Sequence, residues 1–145
     1  MADSADLLAE FLDQPVWAVV GASRDPSRYG YRVLVALRTA GYRAYAVNPR
    51  ADEIAGERAY PSLAALPETP NVVDTVVPPG VTARTVVEAA ALGVTRIWMQ
   101  PGSESDEAIR LAEESGIRVV HHACAILGAL HGPARARQYE GSAGG

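Results

Sequence analysis

Apolar positions along the chain follow two rhythms. Val16-Trp17-Ala18-Val19-Val20 is an unbroken apolar run of strand length, as expected of a strand covered by helices on both faces. After a loop from Gly21 to Tyr29, the residues Val33, Leu34, Leu37 and Ala40 recur at helical spacing, and Gly41 ends the run. Arg43 to Val47 is a second apolar run, stopped at Asn48-Pro49 because proline cannot donate to a ladder. No period is visible from Arg50 to Tyr60, and Pro61-Ser62-Leu63 predicts a short helix with Ser62 as its N-cap.

The pattern then repeats. Val72 to Val77 predicts a third strand, closed by Pro78-Pro79-Gly80, and Val81, Val86, Val87, Ala90 and Ala91 form the apolar stripe of a helix ending at Gly93. Arg96 to Met99 is a fourth strand; Ser103 or Ser105 caps a helix holding Ile109, Leu111 and Ala112; Ile117 to Val120 is a fifth strand, and a last helix runs from about Ala123 to Leu130. At the start, Ser4, Asp6, Leu7, Leu8, Phe11 and Leu12 read as a short helix ending before Pro15.

Strands alternating with helices through short connections predict a parallel sheet, because helical crossovers join parallel neighbours. The expectation is an α/β protein with a doubly wound, five-stranded, mainly parallel sheet and helices on both faces, a three-layer α/β/α arrangement. Residues 15–135 would form this one domain, residues 1–14 a helix packing on it and residues 136–145 a flexible tail. In such sheets ligands bind beyond the carboxyl ends of the strands, where the winding reverses.

Composition narrows the chemistry. The net charge of −4 argues against a nucleic-acid partner, so any anion site must be local. All thirteen basic residues are arginine, which excludes a Schiff-base lysine and a Walker A lysine. The single cysteine, Cys124, points to a reducing, cytoplasmic compartment. No run approaches the length needed to span a bilayer, and the acidic N-terminal stretch does not look like a signal peptide. Oligomeric state is open, since no residue pattern locates an interface for a homodimer or another protein partner.

Two loops carry candidate ligand chemistry. Gly21-Ala22-Ser23-Arg24-Asp25-Pro26-Ser27-Arg28-Tyr29-Gly30 leads from a buried strand into a helix N-terminus, where unpaired amides favour a phosphate, with Ser23 and Ser27 as hydroxyl donors and Arg24 and Arg28 as charges. It is not a GxGxxG fingerprint, because Ser23 and Pro26 stand at the second and third glycines. The second strand ends in Asn48-Pro49-Arg50, where an NAD site would carry an acid; an arginine there suits a phosphorylated ribose, as in NADP or coenzyme A. Without a ligand, these features would be a tight turn, a strand terminator and solvated arginines.

Together, Val19-Val20-Gly21-Ala22-Ser23-Arg24-Asp25-Pro26-Ser27-Arg28, Gly41-Tyr42-Arg43, Val47-Asn48-Pro49-Arg50, Gly56, Tyr60-Pro61-Ser62-Leu63, Val73-Asp74 and Trp98-Met99-Gln100 resemble the stand-alone CoA-binding proteins. These are bacterial single-domain relatives of the CoA-binding domain of the succinyl-CoA synthetase alpha subunit. The resemblance covers about residues 15 to 127 and implies a Rossmann-like fold with coenzyme A as ligand. It places the nucleotide over the first loop, Arg50 near the ribose phosphate, and Val77-Pro78-Pro79 and Gln100-Pro101-Gly102 beside the adenine or the pantetheine arm. The chain departs from the family's usual pattern at Val76-Val77-Pro78-Pro79 and at His121-His122-Ala123-Cys124.

No catalytic set emerges. His121 and His122 point to opposite faces of a strand end, Cys124 has no fixed partner, and Asp74 is either a buried acid of raised pKa or an acceptor for a loop amide. The expected role is non-enzymatic binding of coenzyme A or an acyl-CoA by a carrier or sensor. The competing readings are an NADP-dependent oxidoreductase or its isolated dinucleotide-binding domain, and an interaction domain that has lost its ligand.

Overall fold

The computed structural model of the chain describes residues 4–121, with side chains from Asp6 onward. The helix expected from Ala123, His122, Cys124 and the tail lie outside the described residues. The elements in order are α1 (Ser4–Leu12), β1 (Val16–Val20), α2 (Tyr29–Thr39), β2 (Arg43–Val47), β3 (Glu53–Ile54), β4 (Glu57–Tyr60), β5 (Val72–Thr75), α3 (Pro79–Ala91), β6 (Arg96–Met99), α4 (Asp106–Glu114) and β7 (Arg118–Val120).

The strands form one sheet in the order β3-β4-β2-β1-β5-β6-β7, parallel throughout except for the β3–β4 hairpin. Alternate residues of β1 explain its unbroken apolar run. Trp17 and Val19 join Phe11, Val33, Leu34 and Leu37 beneath α1 and α2, whereas Ala18 and Val20 join Val86, Ala89, Ala108 and Ala112 beneath α3 and α4. Both faces are covered, as a mostly parallel sheet requires. The fold is therefore the expected Rossmann-like three-layer α/β/α arrangement.

Helix α1 belongs to the first of these layers. Phe11 is fully buried with its ring edge-on to Trp98, and Trp98 in turn packs on Trp17. Burying an aromatic or aliphatic side chain of this size contributes roughly 1.5–3 kcal/mol. Glu10 adds orientation: its carboxylate spans Arg96 on β6 at 2.9 Å and Arg118 on β7 at 2.6 Å. Among the described residues no helix is long and apolar enough to cross a membrane.

Several boundaries differ from expectation for physical reasons. The sheet has seven strands rather than five, because the aperiodic stretch after Arg50 folds into the β3–β4 hairpin. Its strands are two and four residues long and half of their residues are exposed, too short and polar to leave a period. The helix after Pro61 is a single 3-10 turn at Leu63–Ala65, and the Ser62 side chain does not cap it. Strand β5 stops at Thr75, before the prolines that begin α3. Ser105, not Ser103, caps α4, accepting from the Ala108 amide at 3.0 Å; Ser103 is buried against Thr75.

Helix α3 also turns a different face inward. Thr82, Thr85, Val86 and Ala89 are buried, while Val87 is 60% exposed and Ala91 is exposed. Both threonines can be buried because their hydroxyls donate back to the carbonyls of Pro78 (3.4 Å) and Val81 (2.9 Å).

From β1 the chain winds outward to β2 and then crosses to β5 on the other side. The winding therefore reverses at β1, and the segments following β1, β2 and β5 meet beyond its carboxyl end.

Candidate functional site

A cleft of about 1060 Å³ opens where those segments converge. Its base is the turn after β1. Gly21 adopts φ 99°, and a Cβ there would collide with the Val76 backbone. Gly30, in the first turn of α2, touches the same turn: a Cβ on it would overlap the Gly21 carbonyl oxygen. These two glycines let the loop tuck beneath the start of α2, which is the task of closely spaced glycines in a dinucleotide loop.

The start of α2 is left open. Its N-cap is Arg28, with no side-chain cap and no acidic residue in the first turn. Helix α4 is the contrast, with Ser105 as cap and Asp106 and Glu107 in its first turn. Residues at an uncapped helix start keep amide donors and partial positive charge for an external anion.

The intervening loop is internally bonded. Asp25 Oδ1 accepts from the Ser27 amide at 2.9 Å and the Ser27 hydroxyl at 2.7 Å, while Ser23 Oγ accepts from the Asp25 amide at 3.1 Å. The bonds from Ser27, with Arg28 at 3.9 Å, hold the Asp25 carboxyl below the usual carboxylate range. The expectation that the Ser27 hydroxyl faces a phosphate is thereby corrected: it is directed at Asp25, and Ser27 does not line the cleft.

The second loop is fastened to the first. Asn48 Nδ2 donates to the Ala22 carbonyl at 2.9 Å, Asn48 Oδ1 accepts from the Arg50 amide at 2.8 Å, and the Asn48 amide donates to Tyr60 at 2.8 Å. The Asn48 side chain thus fixes the loops, and Arg50 beyond it is exposed at the cleft.

Arginines set the electrostatics. Arg24, Arg28, Arg50 and Arg84 line the cleft against two carboxylates, Asp25 and Glu88. Among the described residues Arg24, Arg50 and Arg84 form no ion pair, in a chain whose net charge is −4. The cleft is a local positive region whose guanidinium groups can fork onto phosphate oxygens.

Of the residues expected at the site, Gly21, Ala22, Ser23, Arg24, Arg28, Tyr29, Asn48, Pro49, Arg50 and Val77 line this cleft. Pro78, Pro79, Gln100, Pro101 and Gly102 do not. Pro78 and Pro79 are exposed at the start of α3, and Pro101 and Gly102 are exposed beyond β6. Gln100 is fully buried; its Oε1 accepts from the Tyr29 hydroxyl at 3.1 Å and its Nε2 donates to Asp74.

Asp74 lies wholly inside the fold on β5, and its Oδ2 has no hydrogen-bond partner among the described residues. Burial pushes its pKa from 3.8 to about 7, against the Gln100 bond, which pulls it down. Both alternatives for Asp74 are met at once: its carboxyl is buried, and it accepts from the side-chain amide of Gln100 in the loop after β6. Through Gln100 it reaches Tyr29, which lines the cleft.

Sequence reasoning missed the α3 wall. Val81, Arg84, Thr85 and Glu88 face the cleft at steps of three and four, one stripe of a helix. That spacing was present in the sequence, but its mixed polarity hid it behind the valine pattern.

Comparisons with known proteins agree with this geometry. The family model described as the CoA binding domain matches residues 15–129. The alpha subunit of an ADP-forming acetate–CoA ligase II from Pyrococcus furiosus is 30% identical over 118 residues, covering 74% of this chain and 26% of that protein. A solved conserved hypothetical protein from Pyrococcus furiosus matches with TM-score 0.72 and 38% identity, covering 75% of this chain and 94% of that one. A solved Thermus thermophilus protein matches with TM-score 0.75 and 36% identity, covering 82% and 90%. The chain thus spans about a quarter or less of the curated relatives it matches, but nearly all of these small solved proteins.

Proposed function

This chain belongs to the CoA-binding domain family, and from that premise we propose that its cleft binds coenzyme A or an acyl-CoA without catalysing a reaction on it. The observation that carries the reading is the uncapped start of α2, in one cleft with Arg24 and Arg50, which form no ion pair among the described residues, at the reversal point of the sheet. A pyrophosphate placed there would meet helix amides together with Arg24 and Arg28. Arg50 would lie toward the ribose.

Two further observations favour binding over chemistry. Two polar side chains of the lining, Asp25 and Asn48, are engaged in holding the loops. The ligase activity named for the longer relatives belongs to proteins of which this chain matches a small part. A carrier or sensor of CoA in the cytoplasm is the role we assign.

Isothermal titration with CoA and NADP tests this reading. One-site binding of CoA, with NADP at least tenfold weaker and no nicotinamide absorbance change with aldehydes or ketones, is the expected result. NADP binding tighter than CoA would replace the proposal with the dinucleotide reading.

A further inference from the structure

The charges of the cleft come from two different layers of the fold. Arg24, Arg28 and Arg50 sit on loops that follow β1 and β2, and α2 packs on the Trp17 side of the sheet. Arg84 reaches the cleft from α3, which packs on the opposite, Ala18 side. The segment leaving β5, Val76-Val77-Pro78-Pro79, carries no charge, so Arg84 is the only cation that the α3 wall presents among the lining residues.

Arg84 is exposed and held by no ion pair among the described residues, although Glu88 stands one turn further along the same stripe. Glu88 instead accepts from the Ala64 amide at 3.4 Å, which sets α3 against the segment that follows β4. That segment begins at Pro61 and Ser62, both of which line the cleft, beside the Asn48 turn bonded to Tyr60. The α3 wall therefore closes the cleft on the side away from the α2 start. Anionic groups at the two places would be held by separate cations.

We infer that the ligand is a nucleotide carrying a phosphomonoester apart from its pyrophosphate, and that Arg84 is the specificity-determining contact to that phosphomonoester. The inference rests on the CoA-binding reading and deepens it. A ligand with only a pyrophosphate leaves Arg84 unused. A ligand with the second group gains a charge-assisted bond, worth about tenfold or more in affinity.

The experiment is calorimetric titration of the wild-type chain, Arg84→Met, Arg84→Lys and Arg50→Met with CoA and with dephospho-CoA, which lacks the ribose phosphate. Thermal unfolding midpoints should be unchanged, because the Arg84 side chain is exposed and pairs with no acid. The expected result is a wild-type preference for CoA of tenfold or more that falls below threefold in Arg84→Met and is partly kept in Arg84→Lys. A preference that survives Arg84→Met, or that is lost only in Arg50→Met, overturns the assignment of Arg84 and leaves the CoA-binding reading intact. Equal wild-type binding of the two ligands overturns the phosphomonoester inference, again without touching that reading. Binding of neither ligand overturns both.

Discussion

The Asn48 side chain donates to the Ala22 carbonyl at 2.9 Å while its own oxygen accepts from the Arg50 amide at 2.8 Å. One amide group, with a donor on one side and an acceptor on the other, thereby joins the loop after β1 to the loop after β2. Asn48→Ala should cost about 1–2 kcal/mol in denaturant unfolding and weaken CoA severalfold. Asn48→Asp keeps the acceptor toward Arg50 but sets an anion against a carbonyl, so it should weaken CoA further. Unfolding and titration of both variants check the order.

The contact between Gly21 and Gly30 allows a test by contrast. Gly30→Ala places a Cβ on the Gly21 carbonyl oxygen, backbone that cannot swing away, and should destabilise the fold by about 1–3 kcal/mol. Gly80→Ala, in the first turn of α3 with open space around it, should instead stabilise by about 0.5–1 kcal/mol. Chemical denaturation midpoints of the two variants should move in opposite directions.

Asp74 should make stability fall with rising pH. Its folded pKa, about 7, stands above the unfolded value of 3.8, so between those values the native protein holds a proton that the unfolded chain has released. Stability is then lost as pH rises through that window, at up to about 1.4 kcal/mol per unit, and levels off above it. Asp74→Asn, which cannot ionise, should flatten this part of the profile in urea unfolding from pH 4 to 8. An unchanged slope in the variant would assign the dependence to other groups.

Asp25 places a carboxylate in the lining of an anion cleft. Asp25→Asn keeps an oxygen to accept from the Ser27 amide while removing the charge. It should tighten CoA binding by about two- to fivefold at low salt, an advantage that shrinks at high ionic strength. Titration at two salt concentrations checks both parts.

Much of this architecture was legible in the sequence. The run from Val16 to Val20 announced a strand covered on both sides, and its two faces do feed separate cores. The loop after Gly21 and the Asn48-Pro49-Arg50 turn could be located because strand ends and helix starts carry local residue preferences. The β3–β4 hairpin was not legible, since strands this short at an exposed edge bury only Ile54 and Ala59 and show no alternation. Nor was the α3 wall. Which stripe of that helix faces inward depends on packing against its neighbours, and buried Thr82 and Thr85, satisfied by backbone carbonyls, took the place that valine periodicity gave to Val87 and Ala91. The pairing of Gln100 with Tyr29 and Asp74 spans 71 and 26 residues of chain, beyond any local pattern.

Backbone amide chemical shifts recorded while CoA is added test the central claim most directly. Perturbations confined to Gly21–Gly30, Asn48–Arg50 and the Val81–Glu88 stripe, saturating together at one equivalent of CoA, are the predicted result. Perturbations absent from these three segments, or centred on the opposite, amino edge of the sheet around Arg43 and Arg96, would contradict it.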